Sequence, residues 1–402
     1  MKKNLLKNSA VQTLVASLIC IVLGLFLGYL VLLLINPVGA GDAILTVIKN
    51  FWTYNRQASQ VKYLGNTLVK TAPLLMCALS ILFSYKVGLF NIGAAGQYCI
   101  GAALSLYAAL GLGWSWLPCM LFAVAAGMAA GAIVGLLKTF CNVNEVISGI
   151  MLNWIFLYAT NMILTNVKEV ASPYTYQMHS AAQQALLPSL GLDKLFSGNQ
   201  YVTIAIPLAI LMAILVWVVL EKTRFGYELK ATGFNKHAAK YCGMAERRNT
   251  VLTLAIAGGL AALGGSLLYQ TGYEQWQCTH SSVPNMGFNG ICAAFLGGLN
   301  PIGAIFSSFF IQHITSGGAY VDKSLYCSQI SDLITAIIIY MCGFVLFLKT
   351  AMNNAAARRE ERQRLAAGSA HAAAETTPAS DPEREAASPQ APADSEKGGE
   401  AQ

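Results

Sequence analysis

Long apolar runs alternate with short polar segments along most of the chain. Six of these runs approach or exceed the roughly 20 residues that a helix needs to cross about 30 Å of hydrocarbon. They cover residues 11–35, 116–137, 146–165, 202–220, 251–269 and 330–348. Residues 67–83, interrupted by Lys70 and Pro73, and residues 92–112 are weaker candidates. The pattern predicts an all-α polytopic membrane protein with about eight to ten transmembrane helices.

The composition supports a membrane location. Of 402 residues, 55% are hydrophobic and only 11% are charged, and the mean hydropathy is +0.52. Soluble domains usually carry about 25% charged residues. The ten cysteines are scattered without a CxxC pair, so we expect most of them to act as small apolar residues and predict no metal site.

Two breaks interrupt the apolar pattern with glycine and side-chain amides. The first is FNIGAAGQYCIGA, residues 90–102, which contains Asn91 and Gln97. The second is GGLNPIG, residues 297–303, which divides its apolar region into either a re-entrant pair of half-helices or two short spans. Irregular backbone at membrane depth is tolerated where it is buried in protein or lines a wet cavity. The second break therefore indicates a translocation path.

The first break has a faint echo later in the chain. GLFNIGAAG, residues 88–96, and MGFNGICAA, residues 286–294, each follow an apolar run and open a glycine-rich one. A duplicated transporter half would produce such an echo, and chance similarity between glycine-rich helices explains it equally well. If the echo is real, Phe288 and Asn289 are counterparts of the amides in the first break.

The helix predicted at residues 146–165 begins with unusual polar residues. Glu145 stands at its head, where it is either a functional ionisable group or a carboxylate favoured by the helix dipole. Asn153 lies about two turns deeper, beside Trp154, and its amide either contacts a polar solute or links two helices. The preceding run contains Gly127, Gly131 and Gly135, a spacing typical of close helix packing.

Charge sets the expected topology. Residues 221–249 contain seven lysines and arginines against three glutamates, and the positive-inside rule places this segment, the N-terminus and the C-terminal tail in the cytoplasm. The tail, residues 351–402, changes to Ala, Glu, Arg, Pro and Ser and is expected to be largely disordered. Residues 1–64 are expected to form an anchor helix and an external loop, and residues 65–350 the transmembrane domain.

The sequence argues against catalysis within this chain. It has no G-x-x-x-x-G-K-[ST] loop, nucleophile elbow or H-E-x-x-H pair, so any use of ATP requires another chain, and no cofactor is expected here. The basic segment contains HAAKYCGMAERRN, residues 237–249. Its adjacent alanines and Gly243, on a predicted short helix, would let a partner surface approach closely. An ordinary basic loop is the alternative.

Four motifs in one order and spacing make a family resemblance specific. They are GLFNIGAAGQYCIGA, NEVISGIMLNW, LKATGFNKHAAKYCGM and AIAGGLAALGG, spread over roughly residues 65–350. In these motifs the chain resembles the permease subunits of bacterial ATP-binding-cassette importers for nucleosides, close to the simple-sugar and branched-chain-type permeases of the inner membrane.

The resemblance implies import of a nucleoside across the cytoplasmic membrane. It implies a separate ATPase, a second permease, an extracellular substrate-binding lipoprotein and contact with lipid, and no nucleic acid. The coupling motif E-A-A-x-x-x-G of importer permeases is matched by Ala238, Ala239 and Gly243, while His237 replaces its glutamate. The expected substrate-pathway residues are Asn91, Gln97, Glu145, Asn153, Trp154, Phe288 and Asn289.

Other functions stay open on the sequence alone. A simple-sugar permease of ribose-like specificity would need much of the same chemistry. An ion-coupled secondary transporter acting alone would use Glu145 or Asp332 as its cation site. A membrane scaffold or receptor would use its tail to recruit partners.

Overall fold

The computed structural model describes residues 9–355 except Lys323, Ser328, Gln329, Leu346 and Lys349, together with residues 357, 358, 362 and 365. The chain divides into two units, residues 1–349 and 350–402, and all the helices named below lie in the first. Of the tail expected to be disordered, the positions from 366 onward lie outside the described residues.

Within the described residues the first unit is built from α-helices. In chain order they are α1 (Ser9–Ile35), α2 (Ala40–Lys49), α3 (Gln57–Lys86), α4 (Ala94–Leu110), α5 (Trp116–Cys141), α6 (Glu145–Leu164), α7 (Met178–Ala181), α8 (Leu192–Leu195), α9 (Ala205–Lys222), α10 (Arg224–Phe234), α11 (Lys236–Tyr241), α12 (Glu246–Gln270), α13 (Asn285–Leu296), α14 (Pro301–Gly318) and α15 (Ile330–Cys342). The only β pairing among these residues is two isolated bridges, so the predicted all-α class is confirmed.

Six helical segments of the described residues are long and apolar enough to cross a membrane. They are Val15–Ile35, Gln57–Lys86, Trp116–Cys141, Glu145–Val167, Ala205–Lys222 and Glu246–Gln270. The predicted polytopic membrane protein is therefore confirmed. The shorter α4, the α13–α14 pair and α15 are the remaining segments that brought the sequence estimate to about eight to ten.

Two helices form the centre of the bundle. In α3 and α12 the buried shares of the apolar window are 89% and 83%, whereas in the other four spans they are 22–33%. The central α12 packs against α3, α4 and α5, and α3 packs against α9, α13 and α14. The apolar outer faces of the peripheral helices are suited to lipid.

The central packing depends on the predicted glycine stripe of α5. A methyl group added at Gly131 would overlap the carbonyl oxygen of Leu254 in α12, and one at Gly135 would lie 2.8 Å from the Cα atom of Val251. Gly127 meets Gly258 of α12 in the same way. The stripe therefore lets the two backbones touch, as small residues do at membrane helix interfaces.

The second break is a turn between two helices of unequal length. α13 has 12 residues and is about 18 Å long, too short to cross the hydrocarbon alone, whereas α14 has 18 residues. Asn300 caps α14, because its side-chain oxygen accepts from the Ile302 N–H at 2.9 Å, and Pro301 occupies the first turn. Asparagine followed by proline is a favourable helix start, which explains why the chain turns at GGLNPIG.

Candidate functional site

The first break forms a turn between α3 and α4 that side-chain amides hold in place. Asn91 Nδ2 donates to Gln97 Oε1 at 2.8 Å, and Gln97 Nε2 donates to Asn91 Oδ1 at 3.3 Å. Asn91 Nδ2 also donates to Ser80 Oγ of α3 at 3.0 Å. Asn91 and Gln97 are only 2% and 1% exposed. In this structure the two amides satisfy each other and tie the break to α3.

Asn153 of α6 supplies a cap for α4 from another helix. The first N–H groups of a helix have no partner within it, and Gly93 in the cap position of α4 has no side chain to offer. Asn153 Oδ1 accepts from the Gly96 N–H at 2.7 Å, while Asn153 Nδ2 donates to the Ile92 carbonyl oxygen at 3.1 Å. The amide thus binds the backbone on both sides of the helix start.

The remaining predicted pathway residues lie outside this hydrogen-bonded network. Trp154 is 43% exposed and Phe288 is 40% exposed, and Asn289 is half-buried on α13. α13 packs against both α3 and α4, and a methyl group at Gly287 would overlap the backbone of α4. The structure therefore brings the start of α13, which contains the echo of the first break, against the start of α4.

Glu145 forms an ion pair rather than the helix cap. Its carboxylate contacts the Lys138 ammonium near the end of α5. The cap of α6 is Asn144, whose side-chain oxygen accepts from the Val146 N–H at 2.8 Å. Glu145 still lies in the first turn, where the helix dipole favours a carboxylate. The ion pair holds the ends of α5 and α6 together.

The turn before the first break touches α10 directly. Gly88 has a φ of +73°, and a methyl group there would lie 2.9 Å from the carbonyl oxygen of Gly233 in α10. A methyl group at Gly233 would overlap the Val87 carbonyl oxygen. α10 is also joined to α12, because Asn249 Nδ2 donates to Thr232 Oγ1 at 3.0 Å. Close-packed backbones transmit displacement. A movement of α10 would therefore displace the Val87–Gly88 turn directly, because no other segment lies between them at this contact.

The predicted short helix is present as α11. Asn235 caps it, because its side-chain oxygen accepts from the Ala238 N–H at 3.0 Å. His237 and Ala238 are exposed, whereas Ala239 is 4% exposed and faces the bundle. A partner on this surface therefore meets only one of the two alanines.

Gly243 has a conformational role at the end of α11. Its φ is +79°, a left-handed conformation that glycine adopts without strain and that commonly ends helices. Its N–H bonds to the Lys240 carbonyl oxygen at 3.0 Å, and no neighbouring atom lies within 4 Å of a methyl group placed there. The glycine requirement thus comes from the backbone, and space remains for a partner.

Two aromatic side chains at the ends of α10 and α11 were missed by the sequence analysis. Phe234 is 97% exposed and Tyr241 is 94% exposed. A cavity of about 470 Å³ in the same basic segment is lined by residues that include Glu221, Tyr227 and Met244. Aromatic residues within a basic, non-spanning segment were the available signal, since fully exposed rings often mark an interaction surface.

A charged pair between the middle of α3 and the segment after α12 was also missed by the sequence analysis. Lys70 Nζ lies 2.8 Å from Glu274 Oε1, just after α12. In the sequence, Lys70 was seen only as an interruption of an apolar run. Charged residues in a membrane-spanning helix are costly and usually pair or face a wet cavity, so Lys70 was itself the signal.

Comparison with known families identifies the class of protein. The family described as branched-chain amino acid transport system / permease component matches residues 63–342. The match covers more than half of the chain, which therefore belongs to this permease family and is a multi-pass membrane transport subunit.

Individual relatives are similar along most of the chain. The guanosine ABC transporter permease protein NupP of Bacillus subtilis (strain 168) is 31% identical over 81% of this chain and 92% of its own length. The nucleoside ABC transporter permease protein NupB of Lactococcus lactis subsp. cremoris (strain MG1363) is 30% identical over 87% of this chain and 96% of its own length. The glucose ABC transporter permease protein TsgB13 of Haloferax volcanii is 26% identical over 69% of this chain and 74% of its own length.

Proposed function

We propose that the chain is the permease subunit of an ATP-driven importer that carries nucleosides across the cytoplasmic membrane. The observation that carries this proposal is the backbone contact between Gly88 and Gly233. It joins an exposed two-helix segment, α10–α11, to a broken helix start in the bundle, which is the connection that an importer driven by another chain requires. The relatives named for guanosine and nucleosides supply the substrate class.

A separate ATPase is the partner proposed for α10–α11. The exposed faces of Phe234, Ala238 and Tyr241 offer apolar contact, and His237 replaces the glutamate of the usual motif. The surrounding basic side chains give the surface a positive charge that favours an acidic partner face. ATP is bound and hydrolysed on the partner, while α10 passes its displacement to the break.

The proposed orientation places α10, α11 and the first break on the cytoplasmic side. The N-terminus and the tail lie on the same side, following the positive-inside rule. The opposite end, where α3 begins and α12 ends, then receives a nucleoside from an extracellular binding lipoprotein. A second permease completes the pathway. This is suggested by Bacillus subtilis, which has two relatives of this chain named as guanosine ABC transporter permease proteins, NupP and NupQ.

The substrate pathway is proposed to run past the two breaks. Asn91, Gln97 and Asn153 fix the shape of its wall through the bonds described above, and they contact solute when the α4 start moves. Trp154, Phe288 and Asn289 offer ring faces and an amide on the adjoining surfaces, suited to a flat base with hydrogen-bonding edges. Glu145 acts here through its ion pair with Lys138.

Affinity purification in mild detergent tests the proposed assembly. A tag on this chain should recover an ATPase and a second permease, and the Phe234→Ala/Tyr241→Ala double variant should lose the ATPase while keeping the permease. Recovery of this chain alone, with nucleoside uptake intact, would contradict the assembly and favour a transporter that works by itself.

A sugar is the second candidate substrate because the glucose permease relative also matches most of the chain. The glucose permease is 26% identical to this chain, whereas the guanosine and nucleoside permeases are 31% and 30% identical. A sugar is therefore a weaker candidate than a nucleoside. A hundredfold excess of ribose or glucose that abolished guanosine uptake would favour the sugar.

A further inference from the structure

Three tyrosines from separate segments form an aromatic cluster at the end of the bundle where α3 begins. Tyr54 precedes α3, Tyr63 lies within it, and Tyr320 follows α14. The rings of Tyr54 and Tyr63 are parallel with centroids 4.1 Å apart, and Tyr320 meets them edge-on at 5.6 and 6.0 Å. All three side chains are partly exposed. Ring faces and edges are therefore available to a planar solute.

The Lys70–Glu274 ion pair lies on the same side of α3 as Tyr63, about two helical turns further along. Lys70 lies seven residues after Tyr63 in α3, a spacing that puts both side chains on one face of the helix. The Lys70 ammonium also lies 5.1 Å from the centre of the Tyr273 ring. Burial raises the pKa of Tyr320, and the charge of Lys70 opposes that shift.

The ion pair keeps hydrogen-bonding capacity for a solute. The side chains of Lys70 and Glu274 are 30% and 38% exposed, so neither is sealed inside the protein. A lysine ammonium has three N–H donors and a carboxylate has two acceptor oxygens, and the contact at 2.8 Å joins one donor with Glu274 Oε1. Donors and acceptors thus stand side by side next to the Tyr273 ring.

This combination matches the chemistry of a purine base, above all guanine. Guanine presents acceptors at O6 and N7, to which lysine donates hydrogen bonds. It also presents N–H donors, from which a carboxylate accepts hydrogen bonds. Its flat ring stacks on tyrosine, and base–aromatic stacking contributes about 1–3 kcal/mol per base. Ribose hydroxyls find partners in the tyrosine hydroxyl groups.

The cluster also lies where a pathway through this chain would begin. α3 and α12 are the most buried spanning helices of the described residues, and the ion pair joins the middle of α3 to the segment that follows α12. Ser80, which binds Asn91 of the first break, is ten residues further along α3, about 15 Å away. One helix therefore carries both the cluster and the anchor of the break.

We propose that Tyr54, Tyr63, Tyr320, Lys70 and Glu274 form a binding site for purine nucleosides at the entrance of the translocation pathway. The site rests on the proposed import function and gives it a location and a preferred base. Tyrosine faces stack on the base, Lys70 donates to its carbonyl and ring nitrogen, and Glu274 accepts from its N–H groups.

Photoaffinity labelling of the assembled transporter in membrane vesicles tests this site. The probe is 8-azidoguanosine, with crosslinked peptides mapped by mass spectrometry and guanosine uptake measured on the same preparation. Labelling should fall on the peptides that contain Tyr54, Tyr63 or Tyr320 and should be suppressed by excess guanosine. Protectable labelling elsewhere in a chain that still imports guanosine would overturn the site and leave the import function standing. Wild-type vesicles without guanosine uptake would instead refute the import function, and with it the site.

Variants at two positions separate binding from structure. Tyr63→Leu should reduce protectable labelling at Tyr54 and Tyr320 at least about fivefold, whereas Tyr63→Phe, which keeps the ring, should retain it. Glu274→Gln should weaken protection by guanosine more than protection by adenosine, which lacks the guanine N1–H. The control Asp42→Asn, at an exposed carboxylate of α2, should change neither. Equal labelling in Tyr63→Leu and Tyr63→Phe would overturn the stacking role.

Discussion

Asn91 and Gln97 bind each other through both of their side-chain amides, at 2.8 and 3.3 Å. This pairing explains how an apolar bundle accommodates two amides next to a helix break. Each amide satisfies the other, so the break carries polar groups without leaving them unpaired in a low-dielectric interior. The same bonds make the break a defined structure that α10 can move as a unit.

The first prediction concerns the cap that Asn153 provides. Asn153→Ala leaves the Gly96 N–H and the Ile92 carbonyl without their side-chain partners, which should destabilise the folded chain by about 1–3 kcal/mol. Unfolding of the detergent-solubilised protein by SDS titration measures the change. The control Asn166→Ala removes an exposed amide just after the end of α6. Its free energy of unfolding should stay within about 0.5 kcal/mol of the wild-type value. Equal stability of the two variants would show that Asn153 does not stabilise the start of α4.

The second prediction concerns close packing of α5 on α12. Gly131→Ala places a methyl group into the Leu254 carbonyl oxygen, and backbone on both sides leaves little room to relax. We expect the amount of folded protein in the membrane to fall sharply, as measured by fluorescence size-exclusion chromatography. Gly41→Ala adds the same methyl group where nothing lies within 4 Å and should leave the yield unchanged. Normal yield from Gly131→Ala would show that the two helices pack differently.

The third prediction concerns transmission through α10. Gly233→Ala should separate α10 from the Val87–Gly88 turn, so ATP hydrolysis continues while nucleoside uptake falls at least about fivefold, a loss of about 1 kcal/mol of coupling. The ratio of nucleoside imported to ATP hydrolysed in proteoliposomes reports the effect. An unchanged ratio would mean that the glycine contact carries no motion.

The fourth prediction concerns the exposed aromatic side chains. Tyr241→Ala should weaken ATPase docking and lower uptake while preserving the fold, because the ring is 94% exposed and contributes little to the core. Val170→Ala truncates another side chain of 94% exposure away from α10–α11 and should import normally. If both variants transport at the wild-type rate, the ATPase binds another surface.

The fifth prediction concerns orientation. In a background without native cysteines, single cysteines at Ser180 and Lys236 should react with an impermeant maleimide from opposite sides, Ser180 from outside. Both positions are in exposed segments, so access does not limit labelling. Reaction of both from the same side would overturn the proposed topology.

The sequence predicted the elements whose signal is local. Apolar length gave the spanning helices, the spacing of Gly127, Gly131 and Gly135 gave the close contact with α12, and the HAAKY stretch gave a short helix. Each of these depends on residues adjacent in the chain or on one face of one helix. The structure agrees with all three.

The sequence left open those features that depend on contacts between distant segments. Whether Asn153 contacts solute or links helices could not be decided, because its partner, the α4 start, lies about 57 positions earlier in the chain. The pairing of Lys70 with Glu274 joins residues about 200 positions apart, and no periodicity reports it. The tyrosine cluster likewise assembles from three segments that carry no shared motif.

Uptake of tritiated guanosine by cells with and without this chain shows whether the chain is needed for nucleoside import. Deletion of the gene should abolish ATP-dependent uptake, and a plasmid with the wild-type chain should restore it, with excess adenosine competing and excess ribose or glucose leaving uptake unchanged. Guanosine uptake that persists at the wild-type rate after deletion of the gene would contradict the account.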